Sequence, residues 1–148
     1  MTVKHQPDGY QTVIPYLIVP DVAALIEFTS RALGAEEVDR FPGPDGRVAH
    51  AEVKIGDSIV MMGGARPEYP PIPCALYVYV RDVDAVYKRA LAAGATSVRP
   101  PADQFYGDRS GGVKDPFGNQ WWFGTHIEDL SREEIARRAQ SHAKGGAG

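Results

Sequence analysis

The feature that most constrains this chain is an internal repeat. Residues 16 to 38, YLIVPDVAALIEFTSRALGAEEV, can be laid over residues 77 to 98, YVYVRDVDAVYKRALAAGATSV. Tyr16 meets Tyr77, Asp21-Val22 meets Asp82-Val83 and, after one gap, Gly34-Ala35 meets Gly94-Ala95. Each copy opens with β-branched and aromatic residues, passes an aspartate suited to cap a helix, shows apolar residues at helical spacing and stops at glycine. The segments that follow, RVAHAEVKIGDSIVMMGG and DRSGGVKDPFGNQWWFGTH, each read as strand, short glycine-containing turn and strand. The chain therefore consists of two βαβββ modules, residues 12–63 and 74–127. They are joined by GGARPEYPPIP (63–73), which proline and glycine make an extended connector.

One module of roughly 60 residues buries too little surface to fold alone, so the modules are expected to share a sheet and a core and form a single domain over 1–148. A composition of 43% hydrophobic and 24% charged residues suits that unit. Ser131 and Glu134 stand at capping-box spacing and open a polar helix over 131–143. His5 and His142 lie in the chain ends and are expected to be solvated.

Charge excludes one class of partner. The net charge is −3 and basic residues are scattered among acids, so no footprint exists for a nucleic-acid backbone. No basic segment leads into an apolar run and no 18-residue apolar stretch occurs, which argues against a signal peptide, a membrane span or a membrane partner. The lone Cys74 fits a reducing compartment, so a cytoplasmic protein is expected, with Cys74 a small packing residue. Without a Walker loop, dinucleotide fingerprint, nucleophile elbow or CxxC pair, phosphoryl transfer, NAD chemistry and acyl transfer have no support.

The paired modules, VPDVAALIEF and VRDVDAVYKRALAAGA, the DPFGNQW hairpin and the stretch DQFYGDRSG together resemble the glyoxalase, bleomycin-resistance and extradiol-dioxygenase superfamily, also called vicinal oxygen chelate, and within it the PhnB-like branch. The likeness runs from about Val13 to Glu134. It implies an α+β fold in which two βαβββ modules form a curved, mixed eight-stranded sheet around a cavity. It also implies a homodimer, since one chain covers its sheet edges and apolar faces incompletely. Whether modules pair within the chain or across the dimer is left open.

Enzymes of this superfamily commonly chelate a divalent metal through ligands on the first and last strands of both modules. The matching positions here are Ile14, Met61 (Val60 with a one-residue shift), Ala75 and Trp122. None is an ordinary ligand, so no metal cofactor is expected. Strand alternation puts Gln120, Trp122, Gly124 and His126 on one face and Trp121 and Phe123 on the other. Trp122 is then an aromatic cavity wall and Trp121 core. By the same parity Tyr16 and Ile18 share a face with Ile14, and Tyr77 and Tyr79 share one with Ala75.

His50 and His126 are each readable as a general base, a polar handle or a satisfied core histidine. In the loop DQFYGDRSGG, Asp108 and Arg109 either pair at the surface or belong to a lip whose Tyr106 and Arg109 meet a ligand, with Arg109 gripping an anionic group. The candidate cavity set is Tyr16, Met61, Tyr77, Tyr106, Arg109 and Trp122. Two functions fit: a metal-free protein that binds a small aromatic or amphipathic molecule, or a glyoxalase- or dioxygenase-related lyase, isomerase or oxidoreductase acting on a small carbonyl or aromatic compound.

Overall fold

The computed structural model describes residues 2–145; Met1 and the closing residues 146–148 lie outside the described residues. The first module contains β1 (Tyr16–Val19), α1 (Val22–Leu33), β2 (Glu36–Pro42), β3 (Val48–Ile55) and β4 (Ser58–Gly64). The second contains β5 (Ala75–Tyr79), α2 (Val83–Ala92), β6 (Thr96–Asp103), β7 (Asp108–Lys114) and β8 (Gln120–His126). Helix α3 (Arg132–Lys144) closes the chain. The α+β architecture of repeated modules is present, with the eight strands divided into two sheets of four. Their orders are β1-β4-β3-β2 and β5-β8-β7-β6. In each sheet the first and last strands of the module run parallel, and the remaining neighbours are antiparallel.

The repeated aspartates act as the sequence implies. Asp21 accepts from the backbone N–H of Ala24 at 3.0 Å, and Asp82 accepts from that of Ala85 at 3.1 Å, satisfying donors that the first helical turn leaves free. Gly34 ends α1 in the left-handed region at φ 66°, donating to the Ser30 carbonyl at 2.9 Å. Helix α2 stops one residue earlier in the repeat, at Ala93, and leaves the positive φ to Gly94. Ser131 caps α3 by accepting from Glu134 N–H at 3.1 Å. Arg138 ties that helix to Glu128, and His142, though exposed, stacks against Phe105 with centroids 5.2 Å apart.

Each helix covers one face of its own sheet, and the two helices also pack on each other. That contact is nearly symmetric: Arg31 donates to the Ala92 carbonyl and Arg89 to the Ala32 carbonyl. The core runs without a break through both modules, from Leu17, Leu25 and Met62 to Val83, Val113 and Phe123. Phe28 of α1 meets Trp121 of β8 at 6.2 Å between centroids, so one module's helix packs on the other module's sheet residue. Among the described residues no helix packs on the opposite, open face of either sheet. The connector does more than span: Ile72 N–H donates to the Ile18 carbonyl at 3.3 Å and partly covers the edge of β1.

Candidate functional site

The open face of the second sheet is set by the turn at Asp115. That buried carboxylate accepts from the N–H groups of Phe117 and Asn119, from the Asn119 amide and from the Trp121 indole. The turn fixes the hairpin register, Lys114 opposite Gln120, and alternation does the rest. Trp121 and Phe123 are fully buried under the helices. Trp122, Gly124 and His126 lie on the open face, opposite Gly112, Ser110 and Asp108 on β7 and, for the first two, Tyr77 and Tyr79 on β5.

Asp108 organises one end of this face. Only 3% exposed, it accepts from the Tyr77 hydroxyl at 2.8 Å and the Tyr79 hydroxyl at 3.0 Å, and pairs with His126 Nδ1 at 2.9 Å. Burial alone would push its carboxyl up, but these three contacts favour the charged form and bring the net shift below the ordinary value. His126 Nε2 lies 2.8 Å from Asp129, so carboxylates flank both ring nitrogens. That arrangement suits an imidazolium, whose two N–H groups both donate, and Asp108 followed by Asp129 raises the histidine above its usual value. The Tyr77 phenol is pushed up by burial of its hydroxyl and by the Asp108 carboxylate, and Tyr79 is raised chiefly by the same carboxylate.

Glycines make room for this layout. Tyr77 lies across Gly124, where an added Cβ would stand 2.3 Å from its hydroxyl; Trp122 lies across Gly112, where an added Cβ would stand 2.6 Å from the ring. The Trp122 indole N–H donates to Gln120 at 3.2 Å, and the Arg99 guanidinium sits 4.9 Å from the ring centroid. Arg99 Nη2 donates to Ser110 at 2.7 Å, and the Tyr106 hydroxyl is 3.3 Å from the same oxygen.

The first sheet repeats the scheme with other residues. Tyr16 lies over Gly63, and its hydroxyl is 3.1 Å from His50 Nδ1. His50 Nε2 is 3.0 Å from Glu52, which also accepts from the Tyr10 hydroxyl. Tyr10 first and His50 second lower the Glu52 carboxyl. Met61 stands between Tyr16 and Glu52 in the register. A hollow of about 780 Å³ opens beside Tyr16, His50 and Gly63 and is bounded by Arg47, Arg66 and Tyr69. A larger one, about 1250 Å³, lies between the β3–β4 turn and the open edge of β5. Val60, Leu76, Val78 and Val86 line it, and it reaches Tyr77, Tyr79 and His126.

Of the residues singled out from the sequence, Tyr16, Met61, Tyr77, Tyr106, Trp122, His50 and His126 lie on the open faces. Arg109 does not. It chelates Asp84 at 2.8 and 3.0 Å and contacts Asp103 at 3.0 Å, so its fork is already filled on the helix side of the sheet. Neighbours in a strand face opposite ways, and the 108-to-126 register gives the open face to Asp108. Asp108 and Arg109 accordingly do not pair. Both histidines have carboxylate partners that the sequence reading missed. Glu52 follows His50 by two residues on one strand and must share its face, and Asp108 is reached from His126 by counting back from the turn. Arg99 and Ser110 carried no comparable signal.

The donor chemistry of the four positions that the resemblance assigns to metal ligands is poor. Ile14 and Ala75 have no donor atom, Met61 offers a soft thioether, and the Trp122 indole nitrogen has a proton to give and no lone pair to share. Among the described residues no three His, Cys, Asp or Glu side chains converge as a metal site. The side chains at these four positions do not fit a chelated divalent ion.

The model for the Glyoxalase/Bleomycin resistance protein/Dioxygenase superfamily matches residues 10–123. The chain belongs to this superfamily. An uncharacterized protein of Mycobacterium bovis is 38% identical over 142 residues, covering 88% of this chain and 93% of that protein. Among solved structures, TioX from Micromonospora superposes with a TM-score of 0.69 at 28% identity, covering 79% of this chain and 99% of TioX. A glyoxalase-related enzyme from Fulvimarina pelagi superposes with a TM-score of 0.64 at 21% identity over 78% and 87%, a likeness of fold. Among the described residues no helix is long and apolar enough to cross a membrane.

Proposed function

We propose that the chain is a metal-free, cytoplasmic small-molecule-binding member of the superfamily, of PhnB-like type, that holds an aromatic or amphipathic ligand against the open faces as a homodimer. One observation carries this reading: a part-exposed tryptophan backed by Gly112, at the position the family resemblance assigns to a metal ligand, stands beside half-exposed Tyr77 and a buried carboxylate. Flat aromatic surface with a few fixed polar groups is the composition of a small-molecule site. The dimer is supported by the exposed Tyr79, Ile72 and Tyr16 near the outer strands β5 and β1, which apolar contact with a second copy would cover. The negative charge and absent basic patch speak against nucleic acid.

The test is protein-observed NMR with a panel of small aromatic compounds in the presence of EDTA, combined with light scattering. Shifts at the Trp122 indole N–H and twice the chain mass support the proposal. A stoichiometric metal found by elemental analysis, with binding that needs it, overturns the metal-free reading, and a monomer at micromolar concentration overturns the dimer. A second reading, an acid–base enzyme on a small carbonyl or aromatic compound, is favoured by His126 set between Asp108 and Asp129 beside two phenols. Conversion of a panel compound, abolished in His126→Gln, would select it.

A further inference from the structure

We propose that Arg99 is an anion anchor and that the ligand of the second open face is a planar organic anion, such as an aromatic carboxylate, with its ring on Trp122. This rests on the reading of that face as a ligand site. The arginine is mounted unusually firmly. Strand β6 breaks register on both sides of Arg99 and continues into Pro100-Pro101. A residue before proline is confined to extended backbone, and prolines leave that stretch few backbone donors. Gly111 lets the bulge press on β7: a Cβ there would stand 2.9 Å from Pro101 N and 3.1 Å from the Arg99 carbonyl. The bulge therefore delivers Arg99 to the row Arg99–Gly112–Trp122–Tyr77 and holds it there.

What the side chain does in that position is incomplete. A guanidinium has five N–H donors, and among the described residues only Nη2 has a hydrogen-bond partner, the buried Ser110 hydroxyl. Nη1 has none, and Nε is buried without one. Among the described residues Arg99 takes part in no ion pair, in contrast to Arg109, whose fork is filled by two aspartates. Asp108, on the same face, is committed to Tyr77, Tyr79 and His126. A buried donor left unmatched is costly, and the group that satisfies a guanidinium fork is a planar, bidentate acceptor: a carboxylate. A small swing of the part-exposed Trp122, over whose ring the guanidinium lies at 4.9 Å from the centroid, admits that carboxylate to Nε and leaves the indole stacked on the ligand's ring. Tyr106 sits next to Ser110 and supplies a further hydroxyl. The anion-binding role that the sequence suggested for Arg109 thus falls to Arg99.

The test compares 2-naphthoate with its neutral isostere 2-naphthamide, titrated by NMR at neutral pH and followed at the Trp122 indole N–H, assigned by its loss in Trp122→Phe. The expected result is that naphthoate binds about 10-fold tighter or more than naphthamide, and that Arg99→Gln erases the preference. Arg99→Lys keeps a reduced preference, since a point charge without the fork remains. Arg109→Gln keeps the full preference. Dispersed spectra with an unshifted Trp121 indole certify that each variant is folded. Equal binding of both probes to the unmodified protein overturns the anion anchor and leaves the binding reading standing. A preference that survives Arg99→Gln overturns the assignment to this residue. If neither probe moves Trp122, the anion anchor and the second open face as a ligand site both fall.

Discussion

Replacing Gly124 by alanine isolates the packing that builds the second open face. Gly124 is not at a positive φ, so its backbone accepts alanine and the cost is steric. The new Cβ would lie 2.3 Å from the Tyr77 hydroxyl and 2.7 Å from the ring, against an ordinary contact of at least 3.4 Å. The phenol must retreat by about 1 Å, which breaks its 2.8 Å bond to Asp108. Loss of a hydrogen bond to a charged group costs roughly 1.5–3 kcal/mol. Local overpacking costs about 1–3 kcal/mol. Alanine offsets about 0.5–1 kcal/mol of this by relieving the entropic penalty of glycine in a strand. The net expectation is a destabilisation of about 1.5–5.5 kcal/mol, read by chemical denaturation. In a Tyr77→Ala background the clash is gone, and the same Gly124→Ala change should be neutral or stabilising by up to about 1 kcal/mol. Equal costs in both backgrounds would refute the placement of Tyr77 over Gly124, and with it the link from β5 across β8 to Asp108.

The two adjacent tryptophans should behave differently: Trp121→Ala should cost about 3–5 kcal/mol as a core deletion that also strips a donor from Asp115, whereas Trp122→Phe should cost about 1 kcal/mol or less. Denaturation midpoints check this, and similar losses at both would refute the division. His126 should titrate by NMR above its ordinary value of about 6.5, and Asp108→Asn should bring the midpoint down. Because the folded value is raised, the contribution of this histidine to stability is complete below about pH 6.5 and is lost as pH rises through the folded value. An unmodified-protein midpoint at or below about 6.5 would refute the paired imidazolium.

The repeat was legible in the sequence because its signals are local. A capping aspartate, a glycine stop and a 3.6-residue apolar period act within one helix, and Asp21, Asp82 and Gly34 do what their positions imply. The opposite fates of Trp121 and Trp122 were legible for the same reason, since strand alternation from the Asp115 turn needs no distant information. Counting from that turn also places Asp108 opposite His126, and the two-residue step from His50 places Glu52, so both carboxylate partners were within reach of the sequence. Only the tertiary structure decided the rest. Asp108 and Arg109 are adjacent charged residues, and the face each takes depends on the hairpin register. The carboxylate collects hydroxyls from β5, a strand 29 to 31 residues earlier, because β8 lies between the two strands in the sheet. Phe28 reaches Trp121 across the module boundary because α1 and α2 pack together. Arg99 reaches the open face through register shifts on either side of it, at Val98 and at Pro100-Pro101, and a bulge breaks the period of two on which any count along the strand relies.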